Sequence, residues 1–213
     1  VNLGTPASPK TSDVRSYLKQ FLSDQRVVEI PRLLWWFILN CIILIFRAKS
    51  SAKKYAKIWQ TEGSPLRFHT AQQAKLVKLE LEKRTNFPLV VTWAMRYGNP
   101  SIRNEIKLLR DKNCDRILIV PLYPQYAAST TASVFDDVAL TYRKLRNIPE
   151  VRFIKHFHDH PSYIEATIAQ IRSYWKHNGK PEKLLLSFHG VPKFTLLRGD
   201  PYHCECHKTA RLI

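Results

Sequence analysis

The sequence predicts an α/β fold built on a parallel sheet, and two observations carry that prediction. Short apolar runs of strand length alternate with longer amphipathic stretches of helical length. The composition is 45% hydrophobic and 11% aromatic, with only 6 glycines in 213 residues, which excludes collagen-like, low-complexity and disordered chains. A chain of this length buries a core as one large domain, or as two of roughly 100 residues each, without covalent staples.

Taken in order, Val1–Leu3 is the first candidate strand, entering a turn at Gly4, and Asp13–Leu22 is the first amphipathic helix. Thr70–Arg84 is a second helix, followed by a strand at Pro88–Trp93 and a helix at Ser101–Lys112. Next come a strand at Arg116–Leu122, a helix at Ala132–Arg146 and a strand at Val151–Phe157. A helix at Ser162–His177 and a strand at Lys183–Phe188 complete the series. Asn99 reads as a capping side chain ahead of a proline at the first helical position, and His160-Pro161 opens the next helix in the same style. Such alternation implies right-handed crossovers and a parallel sheet, whose ligands sit at the carboxyl ends of the strands.

The loops that leave those ends carry polar and aromatic groups. They are Gly4-Thr5-Pro6, Arg96-Tyr97-Gly98, Tyr123-Pro124-Gln125-Tyr126 and His189-Gly190-Val191-Pro192. Neither GxGxxG nor GxxxxGK[ST] occurs, so nucleotide binding has no support. Leu3-Gly4-Thr5-Pro6 and His189-Gly190-Val191-Pro192 share a strand-Gly-x-Pro exit, which hints at a second lobe starting near residue 158. The expected division is 1–157 for the first lobe and 158–213 for the start of a second. Val1 stands where a strand already runs and the chain stops in helical character, so the sequence reads as an internal fragment.

The formal charge of +17 invites a nucleic-acid reading, but no interleaved aromatic and basic motif supports one. The densest cationic cluster, Arg47, Lys49, Lys53, Lys54 and Lys57, directly follows Leu33–Phe46, fourteen residues among which only Asn40 is polar. That run is shorter than the roughly 20 residues a spanning helix needs. It reads as an exposed apolar lip beside a cationic rim, suited to a flat anionic ligand or an anionic membrane face. A buried core helix followed by a solvated basic one is the equal alternative. Four cysteines without a signal peptide favour a reducing, cytoplasmic setting, with membrane association left open.

Seven motifs, taken together, carry a resemblance. Asn2-Leu-Gly-Thr-Pro6, Tyr17-Leu-Lys-Gln-Phe-Leu-Ser-Asp24, Gly63-Ser-Pro-Leu66, Met95-Arg-Tyr-Gly98, Pro121-Leu-Tyr-Pro-Gln-Tyr126, Ser187-Phe-His-Gly-Val-Pro192 and Gly199-Asp-Pro-Tyr202 occur in that order. They closely resemble the ferrochelatase family, particularly its proteobacterial type, over essentially the whole chain. The resemblance implies two flavodoxin-like or Rossmann-like lobes with a porphyrin cleft between them, the second incomplete here. It also implies insertion of Fe²⁺ into protoporphyrin IX to give protohaem, the last step of haem biosynthesis.

That reaction removes two pyrrole protons and hands a divalent ion to four nitrogens, and a neutral imidazole suits both tasks. His189, at a strand end, matches the family's catalytic and metal-binding histidine, against the ordinary alternative of a hydrogen-bonded structural histidine. His160 resembles a second functional histidine, while His156 and His158 read equally well as rim residues. Arg47, Tyr55, Ser64, Arg96, Tyr97, Tyr123 and Tyr126 fall at positions resembling porphyrin contacts, and Leu33–Phe46 becomes the cleft mouth, where it can touch a membrane. The resemblance places an acidic partner of His189 beyond Ile213, so the fragment alone is expected to be inactive.

His203-Cys204-Glu205-Cys206-His207 looks like a metal site, but its C-x-C spacing is tighter than structural zinc uses, and family members commonly carry a cysteine where Cys206 stands. No prosthetic group is expected. Ala127 and Ala128 follow Pro-Gln-Tyr where cluster-bearing animal relatives have a cysteine, which argues against an iron–sulfur cluster. Fe²⁺ itself would be a substrate. A cobalt or nickel chelatase and a non-catalytic porphyrin-binding protein remain the alternative readings; the imidazole does not choose among the metals.

Overall fold

In the computed structural model, which describes all 213 residues, four short strands form the sheet. β1 (Asn2–Gly4) pairs in parallel with β2 (Met95–Tyr97), with Asn2 opposite Met95 and Gly4 opposite Tyr97. β3 (Arg116–Ile119) pairs in parallel with β4 (Glu150–Phe153). Val1 joins the two ladders: its nitrogen donates to the Val120 carbonyl at 2.8 Å and its own carbonyl accepts from the Leu122 N–H at 2.7 Å. The spatial order is therefore β2-β1-β3-β4, as in flavodoxin-like sheets. Gly4 sits at φ +119°, and a Cβ there would lie 1.9 Å from the Tyr97 carbonyl oxygen, so only glycine lets these strands approach.

The helices are α1 (Thr11–Leu22), α2 (Arg32–Phe37), α3 (Leu44–Ile58), α4 (Pro65–Arg84), α5 (Ile102–Asp111), α6 (Ser133–Tyr142), α7 (Pro161–Asn178), α8 (Lys193–Leu197) and α9 (Tyr202–Leu212). π-helical turns at Ile38–Ile43 and Ala128–Ala132 precede α3 and α6. Two apolar cores flank the sheet. On one side α1 (Val14, Tyr17, Leu18) packs on Leu39, Leu44, Ala48 and Ala52. On the other, α5 (Ile102, Ile106, Leu109) and α6 (Val134, Val138) cover Ile117 and Ile119 of β3.

From Arg32 to Ile58 the chain is one helical run of 27 residues. Leu44, Ala48 and Ala52 recur every four residues as its buried stripe, but Leu39 precedes Leu44 by five. The intervening π turn, with its longer i→i+5 hydrogen bonds, adds the residue that keeps Leu39 on that stripe. Leu33 (75% exposed) and Phe46 (73%), with Trp36, Phe37, Ile42 and Ile45, face outward, which decides for the exposed lip over the buried core helix.

Several expected elements shift. The strand expected at Pro88–Trp93 is irregular, and its ladder begins only where Ala94 accepts from the Asn2 N–H. Lys183–Phe188 forms no strand: Leu185 is 89% exposed and no neighbouring backbone pairs with the run. An apolar run becomes a strand only beside a ladder partner. The helix after Asn99-Pro100 starts at Ile102, and Ser101, not Asn99, caps it by accepting the Asn104 N–H at 3.3 Å. α4 starts five residues earlier than expected, with Pro65 in its first turn.

Candidate active site

Tyr97 ends β2, and three other tyrosines gather around it. Tyr17 of α1 meets Tyr55 of α3 edge-on at 6.2 Å, and Phe21 meets Tyr97 at 5.2 Å. Tyr123, in the loop leaving β3, completes the group close to Tyr97 and Arg96. Burial pushes all four phenols above their ordinary range, so they stand as neutral hydroxyl donors. The Tyr123 hydroxyl is buried without a partner.

Beneath them lies an ion-paired network. Asp24, just past α1, receives hydrogen bonds on Oδ2 from Arg96 Nη2 (2.7 Å), Tyr97 OH (2.8 Å) and Ser133 Oγ (2.5 Å), and on Oδ1 from the Arg26 N–H (2.8 Å). Burial alone would raise its carboxyl. The hydrogen bonds from Ser133, Arg26 and Tyr97 and the Arg96 charge outweigh that and hold it below the usual carboxylate range. Arg96 Nε also donates to the Ser133 carbonyl at 2.9 Å, and its Nη1 lies 3.7 Å from Asp137.

His189 lies in another place. It lines a cavity of about 370 Å³ with Leu186, Phe188, Tyr202, Cys206 and His207. Its side chain is exposed and makes no hydrogen bond within the chain. Tyr202 is pushed up to about 12, chiefly by burial and then by its contact with the Cys206 thiol, while a backbone hydrogen bond from His189 works the other way. Burial also raises Cys206, which keeps it a thiol rather than a metal-binding thiolate.

The structure thus brings Tyr55, Arg96, Tyr97 and Tyr123 together, while the His189 cavity shares no lining residue with them. Arg96 is committed to Asp24, and Tyr97 is 1% exposed. Arg47 projects from α3 into solvent, and Ser64 is buried just ahead of α4. Tyr126 packs under Lys155, whose Nζ stands 5.1 Å from its ring, and its N–H donates to Glu205. His160 is the exposed residue ahead of α7. Sequence reasoning did not single out Tyr17, Asp24 or Ser133, and it grouped Glu205 only with its sequence neighbours His203, Cys204, Cys206 and His207. The first two lie inside the motif Tyr17–Asp24, whereas nothing local marks Ser133 or pairs Glu205 with a histidine 49 residues away.

The family model for ferrochelatase matches residues 1–213. The ferrochelatase of Janthinobacterium sp. (strain Marseille) is 58% identical over 213 residues, covering 100% of this chain and 58% of that protein. That of Herminiimonas arsenicoxydans is 59% identical with the same coverage, and that of Nitrosomonas europaea 56%. The chain therefore spans under two thirds of the length of these relatives.

Proposed function

The chain belongs to the ferrochelatase family, and from that premise we propose that the protein inserts Fe²⁺ into protoporphyrin IX, forming protohaem and releasing two protons. The observation that carries this reading is the match over all 213 residues, which includes the His189 motif at the cavity.

His189 has an unbonded imidazole facing an open cavity, so it can take a pyrrole proton or hold the incoming ion. His160 serves as a second, exposed station for proton or ion. The macrocycle lies against the tyrosine cluster, which Tyr123 lines through the exposed part of its ring. Arg47 supplies the free cation for a propionate, with Tyr55 two turns further along α3 and Ser64 and Tyr126 as further polar contacts. Arg96 and Tyr97 act through the Asp24 network, which fixes the floor of the site. Neither a prosthetic group nor a cluster has a part in this scheme. Residues 1–157 form the first lobe and 158–213 open the second. Leu33–Phe46 forms the cleft mouth and, flanked by Arg47, Lys49, Lys53 and Lys54, contacts an anionic membrane face from the cytoplasmic side.

The test is anaerobic Fe²⁺ insertion into protoporphyrin IX, followed by loss of porphyrin fluorescence, in the intact protein and its His189→Ala variant. Turnover that falls by at least about 100-fold in the variant is expected. Porphyrin binding without metallation of any kind would replace the enzyme with a binding protein, and insertion of Co²⁺ or Ni²⁺ but not Fe²⁺ would reassign the metal.

A further inference from the structure

Besides the cavity lined by Tyr202 and Cys206, α9 builds a second cluster through Glu205. This carboxylate is 6% exposed and two imidazoles converge on it: His156 Nδ1 lies 2.6 Å from Oε1 and His158 Nδ1 3.3 Å from Oε2. Oε2 also accepts the Tyr126 N–H at 2.7 Å. The segment that carries the histidines is locked onto α9, because Thr209 Oγ1 donates to the His158 carbonyl at 2.9 Å. The neighbouring cations are engaged elsewhere: Lys208 on Asp159 and Lys155 over the Tyr126 ring.

His158 is the informative member. It is 5% exposed, and its Nδ1 is buried with no hydrogen-bond partner despite the nearby carboxylate. Its Nε2, 3.9 Å from Asp159 Oδ2, makes no hydrogen bond either. A buried imidazole nitrogen without a hydrogen-bond partner, 3.3 Å from a carboxylate oxygen, costs free energy that a cation held between the two would relieve.

The three donor atoms lie within 4.8 Å of one another. Donors held about 2.1 Å from a common ion stand about 3.4 Å apart in tetrahedral geometry. The His158–Glu205 pair already meets that spacing. His156 must open from 2.6 Å, and its side chain, 39% exposed, is free to swing outward. Two imidazoles and one carboxylate suit borderline first-row ions such as Fe²⁺, Co²⁺ and Zn²⁺, and the exposed side at His156 leaves a position for water.

We propose that His156, His158 and Glu205 bind one divalent first-row transition-metal ion at a site separate from His189. The test is Co²⁺ titration of the porphyrin-free intact protein, read by equilibrium dialysis and by visible absorption of the bound ion. At least one equivalent should bind in the wild type and one should remain in His189→Ala, with the affinity of that equivalent reduced at least about tenfold in His156→Ala and in Glu205→Gln. His156 is exposed, so its replacement spares the core and decides the matter even where Glu205→Gln unfolds. Absence of saturable Co²⁺ binding would overturn the proposal, as would binding that His156→Ala leaves unchanged or that His189→Ala abolishes.

Discussion

Replacing Asp24 with alanine removes one carboxylate and strands four donors. The Asp24 side chain is 8% exposed and that of Arg96 17%, so the ion pair sits largely out of water. Truncating one partner of such a pair leaves the other charge buried, at a cost of about 3–5 kcal/mol. Asp137, 3.7 Å from Arg96 Nη1, takes up part of that charge and places the expected loss near the lower bound, about 3 kcal/mol. Asp24→Asn keeps the shape and two acceptor sites and should lose less. The effect also depends on pH in a fixed direction. The folded-state pKa of Asp24 is depressed, so its contribution is complete above the unfolded value of about 4 and is lost as pH falls through the folded value. The assay is urea denaturation of wild type and variant across pH 3 to 8. The difference should stay constant from pH 8 to about 5 and shrink below about 4. A loss under about 1 kcal/mol at pH 7, or a difference that persists undiminished at pH 3, would refute the network's role.

Two further outcomes follow from exposure and burial. Trp36 and Phe37 are 57% and 53% exposed, and immersing the rest of such rings in lipid is worth about 1 kcal/mol or more each. The double Trp36→Ser, Phe37→Ser variant should bind anionic vesicles at least about tenfold more weakly in sedimentation, and unchanged binding would remove the lip from membrane contact. Cys206 is buried and its thiol raised, whereas Cys41 and Cys204 are exposed. In timed iodoacetamide labelling at pH 8 followed by mass spectrometry, Cys206 should therefore be modified last, and equal rates would contradict its placement.

The helices were the most legible part of the fold. α1, α5, α6 and α7 begin and end within a few residues of where periodicity puts them, because an amphipathic helix is specified by neighbours along its own chain. Strands were read less well. Arg116–Ile119 lies within the expected run, but Pro88–Trp93 and Lys183–Phe188 did not become strands, because a strand needs a partner that its own residues cannot supply. Asn99-Pro100 misled for a similar reason: the caps are set by the backbone turn at Ser101, not by the proline.

At the candidate site, Arg96, Tyr97 and Tyr123 were visible because each sits at or within a few positions of a strand end, whereas Arg47, Tyr55 and Ser64 lie on or beside helices and His189 follows a run that forms no strand. Their surroundings were not visible. That the Arg96 guanidinium is bound to Asp24, 72 residues away, follows only from folding α1 against β2. The same holds for Glu205, which in sequence belongs with His203, Cys204, Cys206 and His207 and in space belongs with His156 and His158. The sequence by itself determined family, helices and the inventory of chemically able side chains, because these are recorded in local order. Only the tertiary structure decided which charges are free, which hydroxyls lack partners and which histidines share a carboxylate, because burial and long-range pairing exist only once distant segments pack.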